Sequence, residues 1–186
     1  MSGRHVLITG PPGIGKTTLV KKISAYLVDK GINVAGFYTS EVRSGGERTG
    51  FSVTDIKDGH EGRLATVQQP GPELGRCPMV GKYCVRLAEF ENIALPALET
   101  THAQVFIVDE IGKMELLSRS FATKIEALFQ TTSAVIVATV PVNKGRPLPL
   151  VEGLKSRSDV TLFTVTRQNR DAIGDEIMQY IVDSVK

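Results

Sequence analysis

HVLITGPPGIGKTT, residues 5–18, is the stretch whose reading decides the fold class of this chain. His5 to Thr9 is a short run of β-branched and apolar residues, the composition of a buried strand. Gly10 to Thr17 then matches G-x-x-x-x-G-K-[ST] at every specified position. From Thr17 to Lys30 the apolar residues Leu19, Ile23, Tyr26 and Leu27 recur at helical spacing, and Gly31 follows as a stop signal. A glycine-rich turn between a strand and a helix is the context in which this motif cradles phosphate. Its glycines let backbone N–H groups curl round an anion, and the helix N-terminus adds partial positive charge. The cradle is assigned to Gly10, Pro11, Pro12, Gly13, Ile14, Gly15, Lys16 and Thr17. Lys16 is expected to reach the β and γ phosphates of a nucleoside triphosphate and to act in catalysis, while Thr17 offers its hydroxyl to Mg²⁺. Thr18 either touches phosphate or is only a hydroxyl of the first helical turn.

Beyond the first helix, short apolar runs alternate with amphipathic helical patterns, the sequence form of an α/β domain. Asn33 to Val42 reads as a strand, Gly45-Gly46 as a turn and Thr49 to Ile56 as its antiparallel partner, with a further short strand near Leu64 to Val67. Gln69 to Gly81, with three prolines and three glycines, reads as a surface loop and not as a linker. Leu87, Phe90, Ala94 and Leu98 form a helical stripe that Pro96 kinks or shortens. Strand Val105 to Val108, helix Ser118 to Gln130, strand Ala134 to Val140, strand Val160 to Val165 and helix Asn169 to Val185 complete the alternation. The expected architecture is a three-layer α/β/α phosphate-loop NTPase domain, with a mostly parallel central sheet and an antiparallel edge hairpin, spanning residues 1–186 as one domain.

Composition narrows the function classes. Apolar residues make up 41% of the 186 and no run approaches a bilayer span, so no membrane role is expected. A net charge of +2, without a dense Lys/Arg run, gives no support to nucleic-acid binding. Met1 to Arg4 leaves no room for a leader peptide before the first strand, which makes the cytosol the default location. Cys77 and Cys84 lack C-x-x-C spacing and read as two reduced thiols. The histidines are scattered singly, so the sole metal expected is Mg²⁺ arriving with the nucleotide.

A phosphate loop of this kind needs a carboxylate at the end of a buried strand to hold Mg²⁺, and VFIVDE, residues 105–110, supplies one in Asp109. Glu110 follows with its side chain expected to point elsewhere, so the two acids take different roles, Glu110 orienting and activating the attacking water. Candidates for neutralising transition-state charge are Lys113, directly after Gly112, together with Arg43, Arg48, Arg157 and Arg170. Lys113 is assigned among the catalytic residues and Arg170 among the nucleotide contacts.

The strings LITGPPGIGKTT, GFYTSEVR, VDEIGKMEL and VTRQNRD together resemble the cancer-related nucleoside-triphosphatase family along nearly the whole chain, the acidic string being the most diagnostic. The resemblance implies slow, Mg²⁺-dependent hydrolysis of ATP, GTP and other nucleoside triphosphates, CTP and UTP among them, with little base preference, and a monomer is expected. It also implies that Val108, Asp109, Glu110, Ile111 and Gly112 join the nucleotide site. As in phosphate-loop ATPases with an added catalytic glutamate, a strand is expected between the phosphate-loop strand and the acidic strand.

Three rivals stand beside this reading. Asp109 to Gly112 also satisfies D-x-x-G, and Asn143-Lys144-Gly145-Arg146 begins like the guanine-reading N-K-x-D. Arg146, however, offers only donors where guanine requires a carboxylate acceptor. A kinase passing the γ-phosphate to a nucleotide or small acceptor uses the same loop and metal. A nucleotide-gated interaction module would use hydrolysis only as a timer.

Overall fold

The apolar run at the start of the chain forms strand β1 (His5–Gly10), buried at every residue as a strand covered on both faces must be. The computed structural model describes residues 3–67, 77–130, 133–143 and 145–185. After the phosphate-loop turn comes helix α1 (Lys16–Asp29), whose buried face carries Leu19, Val20, Ile23 and Leu27. Gly31, at φ 74°, ends it in the left-handed conformation that glycine adopts without steric cost. The other strands are β2 (Val34–Ser44), β3 (Glu47–Asp55), β4 (Glu61–Val67), β5 (Met79–Val80), β6 (Tyr83–Val85), β7 (Val105–Val108), β8 (Val135–Pro141) and β9 (Val160–Thr164). The remaining helices are α2 (Leu87–Ala97), α3 (Arg119–Gln130), α4 (Pro149–Lys155) and α5 (Ile173–Val185), with a 3₁₀ turn at Glu115–Leu117.

Among the described residues these strands form one nine-stranded sheet in the order β5-β6-β4-β3-β2-β7-β8-β1-β9. From β9 to β2 every neighbouring pair is parallel. Beyond β2 every pair is antiparallel. The edge hairpin expected from Gly45-Gly46 is therefore the first part of a longer antiparallel extension. As anticipated, one strand, β8, separates the phosphate-loop strand β1 from the acidic strand β7.

Strand alternation divides the core between the two faces. Leu7, Phe106, Val108 and Ile136 join the cluster under α2, α3 and α4, whereas Val6, Ile8, Ile107 and Val137 join the one under α1 and α5. Three layers result. The first cluster is anchored by Phe37, Phe90 and Phe121, which meet edge to face with centroids 5.1 to 5.8 Å apart. No helix among the described residues is long and apolar enough to cross a membrane.

Strand β2 belongs to both halves of the sheet. Val34 to Phe37 pair with β7, while Phe37 to Ser44 pair with β3, so β2 continues past the end of β7 on the phosphate-loop side. At the crossing, Gly36 has φ 112°, and a Cβ there would lie 1.9 Å from the Ile107 carbonyl oxygen. Only glycine allows the two backbones this approach.

Several expectations change. Cys77 and Cys84 are joined in a disulfide and are not two reduced thiols. The short β5–β6 hairpin, turning at Gly81, brings their Cα atoms to 5.6 Å, a proximity that seven-residue spacing does not disclose. Part of the Gln69–Gly81 loop lies outside the described residues, and its end holds β5. Helix α4 falls where no element was expected, with Pro149 in its first turn. Helix α5 starts at Ile173 and not at Asn169, because the Asn169 side chain accepts the Thr166 N–H at 2.8 Å and organises a turn there. Pro96 sits in the last turn of α2, which ends one residue later.

Candidate functional site

The N-terminus of α1 is built to receive an anion. Gly15 precedes it at φ 107°, no side chain caps it, and its first turn contains no acid. Its leading N–H groups are thus left without intrahelical or side-chain acceptors. Lys16 folds back so that its Nζ donates to the Gly10 carbonyl at 3.0 Å, holding the ammonium over the loop.

Asp109, just beyond β7, is 1% exposed and fully engaged. Thr17 Oγ1 donates to Asp109 Oδ2 at 2.7 Å. Thr139 Oγ1, from β8, donates to Oδ1 at 2.5 Å. Burial pushes the Asp109 carboxyl above the usual carboxylate range, against which the two hydroxyls, the Thr39 backbone N–H and Lys16 favour the charged form. Because Thr17 gives its proton to Asp109, its lone pairs are left to face a cation. Two adjacent hard oxygens fit Mg²⁺, a cation that takes its remaining ligands from phosphate and water.

Glu110 has different partners. The Asp109–Glu110 peptide is cis, and Glu110 Oε2 lies 3.9 Å from Lys16 Nζ. Burial raises its carboxyl above the usual range, Lys16 opposes the rise, and the neighbouring Asp109 charge adds to it. A partly exposed carboxylate beside the Lys16 ammonium has the chemistry to take a proton from water.

These groups share a cleft of about 800 Å³, within the range of small-molecule sites. The floor is formed by Gly10, Pro12, Gly13, Gly15, Lys16, Thr17 and Thr18, with Asp109 and Glu110 beside them. One wall comes from the β2–β3 extension through Thr39, Ser40, Glu41, Arg43, Arg48 and Phe51. Lys113, Met114, Glu115, Asn143 and Arg146 also line the cleft. A second cavity of about 210 Å³, against Ala35, Asp55 and His60, contains none of the phosphate-loop residues.

Of the predicted cations, Lys113, Arg43 and Arg48 reach the cleft. Glu41 bridges the two arginines at 2.7 and 2.8 Å, and Arg48 Nε donates to the Tyr83 hydroxyl at 2.9 Å. Arg157 is occupied elsewhere, by Asp159 and the Phe129 carbonyl. Arg170 does not line the cleft and lies 3.9 Å from Asp171. Val108 and Ile111, expected in the nucleotide site, are wholly buried in the core and do not line the cleft. Pro11 is exposed, while Ile14 packs in the α1–α5 core, and neither lines the cleft. Lys144, of the N-K-x-D resemblance, lies outside the described residues.

Sequence reasoning missed Thr39, Thr139 and Glu115. Thr139 carried a signal, being the one hydroxyl inside the apolar run VIVATVP of residues 135–141. Glu115 lies in the acidic string itself, five residues after Glu110, and no local pattern announces that it turns inward.

Known proteins match this arrangement over the full chain. A family model described as NTPase covers residues 5–178. The human cancer-related nucleoside-triphosphatase is 44% identical, over 98% of this chain and 99% of that protein. Nucleoside-triphosphatase THEP1 of Thermotoga maritima is 43% identical over 95% of this chain and 94% of its own length. The solution structure of a human cancer-related nucleoside triphosphatase superposes with a TM-score of 0.84 across 99% of this chain and 100% of that one, at 44% identity. The crystal structure of THEP1 from Aquifex aeolicus gives 0.78 at 34% identity, covering 95% and 98%. A phosphate loop, a buried Asp109 and a second acid facing Lys16, in a chain that these proteins match end to end, establish that it belongs to the nucleoside-triphosphatase family, hydrolases that act on phosphoric anhydrides.

Proposed function

We propose that the protein hydrolyses nucleoside 5′-triphosphates to the diphosphate and inorganic phosphate, with Mg²⁺ held by Thr17 and Asp109 and with Glu110 as the base that orients water. The observation that carries the reading is the division of labour between adjacent acids. Asp109 is consumed by two hydroxyl donors. Glu110 keeps a carboxylate at the cleft surface, 3.9 Å from Lys16. The loop N–H groups and Lys16 bind and align the triphosphate, and Glu110 accepts a proton from the water that attacks the γ-phosphorus. Thr17 and Asp109 would hold the cation, which when bound would supply positive charge to the triphosphate. Broad base acceptance is supported by Arg146, which offers donors where a guanine-reading motif needs a carboxylate.

The test is phosphate release from ATP, GTP, CTP and UTP with Mg²⁺ and no acceptor, for the parent and for Glu110→Gln. All four nucleotides should be cleaved, and the variant should lose roughly 10²- to 10⁴-fold in kcat while still binding nucleotide. Conversion of an added nucleoside monophosphate to its diphosphate, with no phosphate released in its absence, would make the protein a kinase instead. Parental turnover in Glu110→Gln would remove Glu110 from the role of base.

A further inference from the structure

Glu115 is a buried ionisable group beside the cleft that this chemistry leaves unused. It opens the 3₁₀ turn at the end of the acidic string, its residue is 5% exposed, and its side chain borders the cleft. Among the described residues no Lys, Arg or His forms an ion pair with it. An unpaired acid is costly to bury, so its position calls for a reason.

Gly112 supplies one. A Cβ on Gly112 would lie 2.7 Å from Glu110 Oε1 and 2.9 Å from Glu115 Oε2, so both carboxyl groups reach into the space that this glycine leaves open. Glu110 therefore has Lys16 on its Oε2 side and Glu115 on its Oε1 side. We propose that Glu115 is a positioning residue that holds the Glu110 carboxylate in the orientation from which it addresses the attacking water, directly or through one bridging water. The proposal rests on Glu110 being the base of the hydrolytic reaction.

Two like charges this close would repel. Burial, and secondarily the charge of Glu110, push the Glu115 carboxyl up to about 8, so at neutral pH it is the uncharged acid, able to donate an O–H to a carboxylate. The Gly112 and Glu115 backbone groups also hydrogen-bond to the Glu115 side chain, which fixes it from the other end. A base aimed in this manner follows the general pattern of an orienting group behind a catalytic one.

A mere staple of the 110–117 segment would use the same backbone contacts, so the experiment must separate aiming from folding. Glu115→Met keeps the volume and removes the donor, whereas Glu115→Gln keeps a donor of the same reach. The expected result is a loss of about tenfold or more in kcat for Glu115→Met with KM within about twofold, and recovery of most of that turnover in Glu115→Gln. Placed on a Glu110→Gln background, Glu115→Met should cost little more, because the group it aims is already gone. Equal kcat in the Met and Gln variants would overturn the proposal, as would a kcat loss that persists undiminished on that background or a parallel rise in KM. Failure of the underlying reading has its own signature, parental turnover in Glu110→Gln alone. Should Glu115→Met fold poorly, Glu115→Ala measured with and without Glu110→Gln still decides, since a staple would show the same effect with or without the Glu110 carboxylate.

Discussion

Replacing Thr139 by valine tests the site from beneath. Thr139 is fully buried in β8 and touches the reaction only through Asp109, to which it donates at 2.5 Å. Valine puts a methyl group where the hydroxyl was, so the core stays filled. What is lost is one of the groups that keep a buried carboxylate charged against the upward push of burial. A hydrogen bond to a charged acceptor is worth about 1.5 to 3 kcal/mol, which corresponds to about 10- to 150-fold in an equilibrium constant. The carboxyl of the variant therefore titrates higher still, and Mg²⁺, which needs the ionised form, should bind that much more weakly near neutral pH. The assay is the Mg²⁺ dependence of phosphate release at pH 7 and pH 9, parent against variant. Because the defect is one of protonation, raising the pH should narrow the gap. An apparent Mg²⁺ affinity within twofold of the parent at both pH values, or a gap that ignores pH, would refute the reasoning.

Two further outcomes follow from the frame of the site. Gly36→Ala combines a backbone at φ 112° with a Cβ 1.9 Å from the Ile107 carbonyl, and the strain together with the forced separation of β2 and β7 should cost about 4 kcal/mol. A urea midpoint shifted by the equivalent of less than about 1 kcal/mol would contradict that. His5 governs acid stability. Its Nδ1 accepts the Ile136 N–H at 3.1 Å, an arrangement only the neutral ring can make. Burial lowers its pKa from 6.5 to about 4, with Asp159 opposing. Between those values the unfolded chain binds a proton that the folded protein refuses, so this contribution is complete above pH 6.5 and about 3 kcal/mol of it is lost by pH 4. Urea titrations at pH 7, 5 and 4 should show a steeper acid loss in the parent than in His5→Asn, and parallel curves would sink the assignment.

The parallel half of the sheet was legible because each of its parts leaves a local mark. The phosphate loop declares itself by spacing, β7 and β8 by their apolar runs, and α1 by its stripe. The antiparallel extension was only half visible. β2 and β3 announce their turn through Gly45-Gly46, whereas β5 and β6, of two and three residues, are too short to show a period. The disulfide depends on that same hairpin and was lost with it. In the site, the residues in the motifs were found and their supports were not. Thr139 comes from a strand 30 residues beyond Asp109, and its relation to that acid exists only once β8 lies against β7. Glu115 was read past because acids on a surface turn are common, and only the inward path around Gly112 sets this one apart.

Strand β2 also acts as a ruler. Its first residues are clamped to β7 at Val34↔Val105 through Phe37↔Val108, and counting onward from that clamp sets where Thr39, Glu41 and Arg43 stand above the phosphate loop. One residue inserted between Gly36 and Thr39 would advance the rest by about 3.3 Å and turn each side chain to the opposite face, taking both the Thr39 N–H from Asp109 and the guanidinium groups from the cleft. The same insertion at Gly45-Gly46, past the last mark, would only lengthen a loop. Natural length variation in proteins built this way should therefore gather at the tip of the hairpin and spare its stem.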